Sequence, residues 1–297
     1  MKKYFTVILL LIPFFVLSAQ DLTNRYSGFG EMIVTHLHSA PFPDTARTSG
    51  YTYNNKFYSA EDHYMDSTVA VFVPKGYKQK SSVDLVIHFH GWFNNVDTTF
   101  GHYNLVQQFA KSGKNALLVI PEGPKNAPDS YGGKLEQKGG FKRFVNELID
   151  TLFSRKIILT EKIGRIIISG HSGGYRVMSF ILMRGGLTSH IKEVYLFDAL
   201  YAEQEKFVYW FDQYEGKLID IYTTSGGTKE NSEKIIDDLN GWEIPYVSFE
   251  NEQSLTPFAL ANNRLIFIYT DLQHNDVLSA RNEFMEFLMA SCLTNIN

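Results

Sequence analysis

Gly170-His171-Ser172-Gly173-Gly174 constrains this chain more than any other stretch, because of what stands on either side of it. The run before it, Gly164-Arg165-Ile166-Ile167-Ile168-Ser169, is apolar and β-branched, as a strand buried on both faces is. After it, Val177, Phe180 and Ile181 recur at helical spacing within Tyr175–Arg184. A strand that turns directly into a helix leaves little room at the junction, and Gly170 and Gly174 supply the small residues it needs. Such a turn strains the residue at its tip, Ser172. It lifts that hydroxyl above the sheet and brings the next N–H, that of Gly173, beside it.

The rest of the chain reads as strands alternating with helices. Strands are expected near Glu31–Leu37, Thr68–Val73, Val83–Phe89, Ala116–Ile120, Arg165–Ser169, Glu193–Phe197, Lys217–Tyr222 and Leu265–Tyr269. Several are unbroken apolar runs, such as Leu117-Leu118-Val119-Ile120, which suits a parallel sheet covered on both faces. Helices are expected at Tyr103–Ala110, Phe141–Phe153, Tyr175–Arg184, Ser232–Leu239 and Ala280–Leu293. In the second of these, Phe141, Phe144, Val145, Leu148, Ile149 and Leu152 form one apolar stripe. Alternation of this kind predicts a doubly wound α/β domain. Its functional loops then lie at the carboxyl ends of the strands, and Glu122–Gly140 and Ser225–Asn231 are placed to border a site there.

The chain begins with Lys2 and Lys3, an apolar block from Tyr4 to Leu17 broken by Pro13, and then Ser18-Ala19-Gln20. These are the parts of a secretory signal, and the block is short of the ~20 residues a bilayer span needs. The expectation is therefore a leader over residues 1–19, an exported mature chain (secreted or periplasmic) and no membrane span after its removal. Residues 20–297 are read as one domain with an N-terminal arm over about residues 20–66, rich in proline and tyrosine. The formal net charge of −4 is dispersed, without a basic run, which argues against a nucleic-acid partner. Cys292 is the single cysteine, so no intrachain disulfide forms; it is read as a small hydrophobe in the C-terminal helix.

The turn at Ser172, the stretch His88-Phe89-His90-Gly91-Trp92 after the third strand, and the strand order together resemble the α/β-hydrolase superfamily. The resemblance covers nearly the whole mature chain. Between Ala70-Val71-Phe72-Val73-Pro74 and His90-Gly91 the chain is also similar to secreted carbohydrate- and polyester-directed esterases. It implies a mostly parallel eight-stranded sheet with an antiparallel entry, flanked by helices. It further implies that the turn is a nucleophile elbow, with Ser172 attacking a carbonyl and a second oxyanion N–H from the loop after the third strand. That donor is Trp92 or else Gly91, alongside Gly173.

Serine needs a base, because its hydroxyl is a weak nucleophile near neutral pH. In the superfamily the histidine comes last in the chain, which selects His274 of nine histidines, just after the final strand. His171, beside the serine, is expected to point away from the cleft. The acid is open among Asp198, directly after the sixth strand, Glu230 and Asp271. No cofactor or metal is expected; His88 and His90 have the spacing of a ligand pair but need further ligands from other strand ends. Only a short helical segment separates the sixth and seventh strands, so no large lid domain is expected. These features predict an exported carboxylesterase acting on small-molecule or polymer-borne esters through an acyl-enzyme. A peptidase or amidase and an acyltransferase share the machinery, and a non-catalytic binding protein could share the fold. The tyrosines of the arm could stack sugar or phenolic rings, or pack the arm against the domain.

Overall fold

The computed structural model describes residues 19–296, so the proposed leader lies outside the described residues except for Ala19. In chain order the elements are α1 (Ala19–Arg25), β1 (Gly30–His36), a hairpin of β2 (Tyr51–Tyr53) and β3 (Lys56–Tyr58), α2 (Ala60–His63), β4 (Thr68–Pro74) and β5 (Val83–Phe89). There follow α3 (Val96–Tyr103), α4 (Leu105–Ser112), β6 (Leu117–Pro121), α5 (Gly140–Ser154), β7 (Ile163–His171), α6 (Tyr175–Arg184) and β8 (Ile191–Phe197). The last third holds α7 (Gln204–Tyr214), β9 (Lys217–Thr223), α8 (Lys229–Gly241), β10 (Val247–Phe249), α9 (Pro257–Asn262), β11 (Leu265–Thr270) and α10 (Glu283–Met289).

Nine of the strands form one sheet in the order β1-β4-β6-β5-β7-β8-β9-β11-β10. β4 is antiparallel to both neighbours, and every other pairing is parallel. All eight predicted strands are present. The ninth, β10, is a three-residue edge strand beside β11. Val247-Ser248-Phe249 is too short and too polar to stand out as an apolar run. Alternate side chains enter opposite cores: Ile166 and Ile168 pack with α5 and α6 on one face, and Ile167 packs with α4 and α10 on the other. Burial on both faces is why these strands are apolar throughout.

Two helices differ from expectation. The predicted Tyr103–Ala110 helix is α4, which starts at Leu105; α3 before it was not anticipated, and the two meet at Asn104 in a left-handed conformation with φ of +51°. Asparagine tolerates that conformation, and the apolar spacing runs through the joint unmarked. The terminal helix stops at Met289, so Cys292 lies beyond it and is exposed rather than buried. The arm folds onto the domain: Phe42, Tyr58 and Tyr64 form a small core with Ala127, while Phe57 stays exposed. Arg47 lies 4.7 Å from the ring centroids of both Tyr51 and Tyr131 and pairs with Asp129 at 2.7 Å, which fastens the arm to the segment after β6. Between β8 and β9 the chain spends its length on α7, whose Phe207, Trp210 and Phe211 are buried; no lid domain is inserted there.

Candidate active site

β7 runs straight to His171, and a single tight turn, Ser172–Gly174, leads into α6. Ser172 has φ of +53°, a left-handed conformation that costs a side-chain-bearing residue about 1–2 kcal/mol. The surroundings enforce it. A Cβ on Gly170 would lie 2.5 Å from the Met178 sulfur, and one on Gly174 would lie 2.6 Å from the Phe89 carbonyl oxygen. Gly91 approaches from the end of β5 so closely that a Cβ there would stand 2.5 Å from the Ser172 Cβ and 3.1 Å from its Oγ. The backbone of Gly173, directly after Ser172, and that of Trp92, in the turn after β5, both border the serine's side of the cleft.

His274 follows β11 in a loop without regular structure, and its Nδ1–H donates to Asp198 Oδ2 at 2.6 Å. Asp198 stands at the end of β8, fully buried, in a left-handed conformation of its own. Burial alone would raise its carboxyl. Hydrogen bonds from His274, Thr228 and Thr223 outweigh that and hold it below the usual carboxylate range. Thr223 supplies both its N–H, at 3.1 Å, and its hydroxyl, at 2.8 Å. The other two candidate acids stand apart from His274: Glu230 is exposed in the first turn of α8, and Asp271 is exposed and paired with Arg281 at 3.1 Å. Gly226 closes over the pair, where a Cβ would fall 1.6 Å from Asp198 Oδ2 and 2.6 Å from His274 Nδ1. Only glycine fits there.

His171 turns toward the cleft, contrary to the sequence expectation. Its ring stacks on His274 with centroids 4.5 Å apart, and its Nε2 lies 2.9 Å from the His274 carbonyl oxygen. A carbonyl can only accept, so Nε2 carries the proton and Nδ1 accepts from the Tyr103 hydroxyl at 3.2 Å. Burial, and then the charge His274 can carry, push the His171 pKa down to about 3, so the ring is neutral at ordinary pH. Tyr201, three residues past Asp198, donates to the Gly226 carbonyl at 2.6 Å and stands edge-on to His274. No pattern marks Tyr201 or Tyr103 in the sequence, since aromatic residues are as common in the core. Thr228 falls in Ser225–Asn231, which was legible as a loop bordering the site, whereas Thr223 is the last residue of β9 itself.

His88 and His90 turn to different partners. His88 Nδ1 meets Ser169 Oγ at 2.8 Å inside the core, whereas His90 bonds the Gly91 carbonyl at 2.9 Å and Glu122 at 2.9 Å. His90 thereby anchors the loop that carries Gly91 and Trp92. Among the described residues, no three His, Cys, Asp or Glu side chains are grouped to hold a metal ion, and no helix is long and apolar enough to cross a membrane.

Ser172, His274, Gly173 and Trp92 line a common cleft of about 810 Å³. Phe93, Tyr103, Tyr175 and Tyr201 add aromatic wall, with Asn94, Thr98, His102, Ser130 and Asn275 adding polar edges. Ser130 comes from the segment Glu122–Gly140, as expected, and accepts from the Trp92 indole N–H at 2.8 Å. Tyr53 of the arm meets the Trp92 ring edge-on at 5.2 Å, so the arm braces one wall.

No family model and no curated protein matches the sequence. Solved structures do. A fluorophosphonate-binding serine hydrolase of Staphylococcus aureus (FphF) is 13% identical and matches over 89% of this chain and 100% of its own, with a TM-score of 0.50. The feruloyl esterase module of Clostridium thermocellum, complexed with sinapinate, is 11% identical over 88% of each chain, with a TM-score of 0.51. A ferulic acid esterase is 11% identical over 88% of this chain and 98% of its own, with a TM-score of 0.54. The shared sheet and flanking helices give this chain the α/β-hydrolase fold.

Proposed function

We propose that the chain is a serine hydrolase of carboxylic esters. The observation that carries this reading is the strained Ser172 opening into the same cleft as a histidine bonded to a buried, ionised aspartate. His274 Nε2 takes the Ser172 proton as Oγ attacks the ester carbonyl. Asp198 holds the imidazole in the tautomer this requires and stabilises the imidazolium that forms. The N–H groups of Gly173 and Trp92, with Gly91 beside them, receive the developing oxyanion; each such donor is typically worth about 10²–10³ in turnover. The tetrahedral intermediate collapses, the alcohol leaves with the proton from His274, and an acyl-serine remains. Water then attacks that ester by the same route and releases the acid. The leader over residues 1–19 makes this an exported enzyme. The similarity to structures named as feruloyl esterases and a fluorophosphonate-binding serine hydrolase favours esters as the first substrates to screen.

A fluorophosphonate probe, read by intact mass and peptide mapping, tests the assignment. One probe per chain is expected on Ser172, and none in Ser172→Ala or in His274→Ala. Asp198→Asn is expected to lower ester turnover by about 10³–10⁴-fold, whereas Asp271→Asn and Glu230→Gln leave it within a factor of about two. Labelling elsewhere, or full turnover in Ser172→Ala, overturns the mechanism. An ester and an amide of one acyl group, compared in the same assay, separate esterase from amidase.

A further inference from the structure

The cleft that holds Ser172 is large and concave, and its chemistry is one-sided. Charged residues make up 20% of the chain, yet among the described residues no Lys, Arg, Asp or Glu lines it. Five aromatic side chains do: Trp92, Phe93, Tyr103, Tyr175 and Tyr201. The charges nearest along the chain do not help an anion. Asp276, after the lining residue Asn275, is acidic and exposed, and Asp97, before Thr98, is acidic and tied to Arg25 at 2.8 Å. The one adjacent cation, Arg176 after Tyr175, is held by Glu136 at 2.8 Å.

A carboxylate or phosphate drawn into such a cleft loses its water and gains no counter-charge. Aromatic faces carry negative quadrupole potential, so they add to the penalty. The geometry points to a neutral substrate: an ester with a flat, apolar body and no anionic group on either side of the scissile bond, with anionic analogues excluded by the cleft itself. This rests on the hydrolase reading above and narrows it.

Two isosteric aryl esters test it, 4-acetoxybenzamide, which is neutral, and 4-acetoxybenzoate, which is ionised at pH 7. Each is first titrated into Ser172→Ala, so that selectivity is read as a ratio of Kd values without turnover. The amide-bearing ester is expected to bind at least about tenfold more tightly, and wild-type kcat/KM to favour it by a similar factor. His102, exposed on the cleft wall in the last turn of α3, offers a place for a cation that the helix terminus tolerates. His102→Lys is expected to narrow the ratio. Equal binding of the two esters, tighter binding of the anion, no binding of either, or a ratio unchanged by His102→Lys overturns the inference. Selective binding to Ser172→Ala without wild-type turnover would leave the inference standing and overturn the hydrolase reading instead.

Discussion

His171 spans the two sides of the site: it belongs to the serine's turn, and it bonds the backbone of the residue proposed as base. His274 sits in a loop that no strand or helix stiffens, so a contact to its own carbonyl limits where its ring can go. Burial keeps the His171 pKa down at about 3, so Nδ1 stays free to accept from Tyr103 throughout the range in which an imidazole can act as base. Tyr103 in turn fixes the His171 tautomer. Tyr103→Phe keeps the ring and removes only that hydroxyl. It is expected to lower kcat about 3- to 10-fold, the worth of one neutral hydrogen bond, with KM unchanged. Steady-state rates check this, and an unchanged kcat would mean that His171 needs no help in holding the loop. The role of His171 was not legible beforehand. A histidine next to the serine says nothing of which way its ring turns until β11 and its loop are docked beside it. The Ser172 turn was legible, since the signal there is local: apolar strand, glycines, apolar helix.

At the scale of the element, buried runs are what a sequence announces, and β5, β7, β8 and β11 emerged with their boundaries nearly intact. What stayed hidden were interruptions that periodicity passes over, as at Asn104, and the edge strand β10, whose half-exposed residues form no run. Asp220 is a further case, a carboxylate within the apolar strand β9. It is fully buried, Ser232 donates to its Oδ2 at 2.6 Å, and its Oδ1 has no partner among the described residues. Burial raises its pKa to about 7, against the Ser232 hydrogen bond and with a further push from Asp198. A carboxyl raised in the folded state favours folding below its unfolded pKa of about 4 and loses that contribution as pH rises toward 7. Asp220→Asn cannot titrate. The melting temperature of the variant relative to wild type is therefore expected to rise between pH 5 and pH 8, by roughly 3 °C or more. A difference that is flat with pH would mean that Asp220 reaches water in the folded protein.

Over the whole molecule, the site has no element of its own. Trp92 follows β5, Ser172 follows β7, Asp198 follows β8, Gly226 follows β9 and His274 follows β11. The parallel sheet brings five strand ends to one edge, and each contributes one or two groups. A consequence concerns the order of events when the chain folds. The strands that flank the centre can pair, and the helices on them can form, while β11 is still undocked. At that stage most of the helical circular dichroism and tryptophan burial are in place, yet His274 is absent from the serine. In a chain of 297 residues rich in long-range pairings, such partly assembled states are expected to accumulate. Diluted from denaturant, the protein is therefore expected to recover its far-ultraviolet signal before it recovers reactivity toward a fluorophosphonate. The interval between the two would time the closing of the sheet at β11.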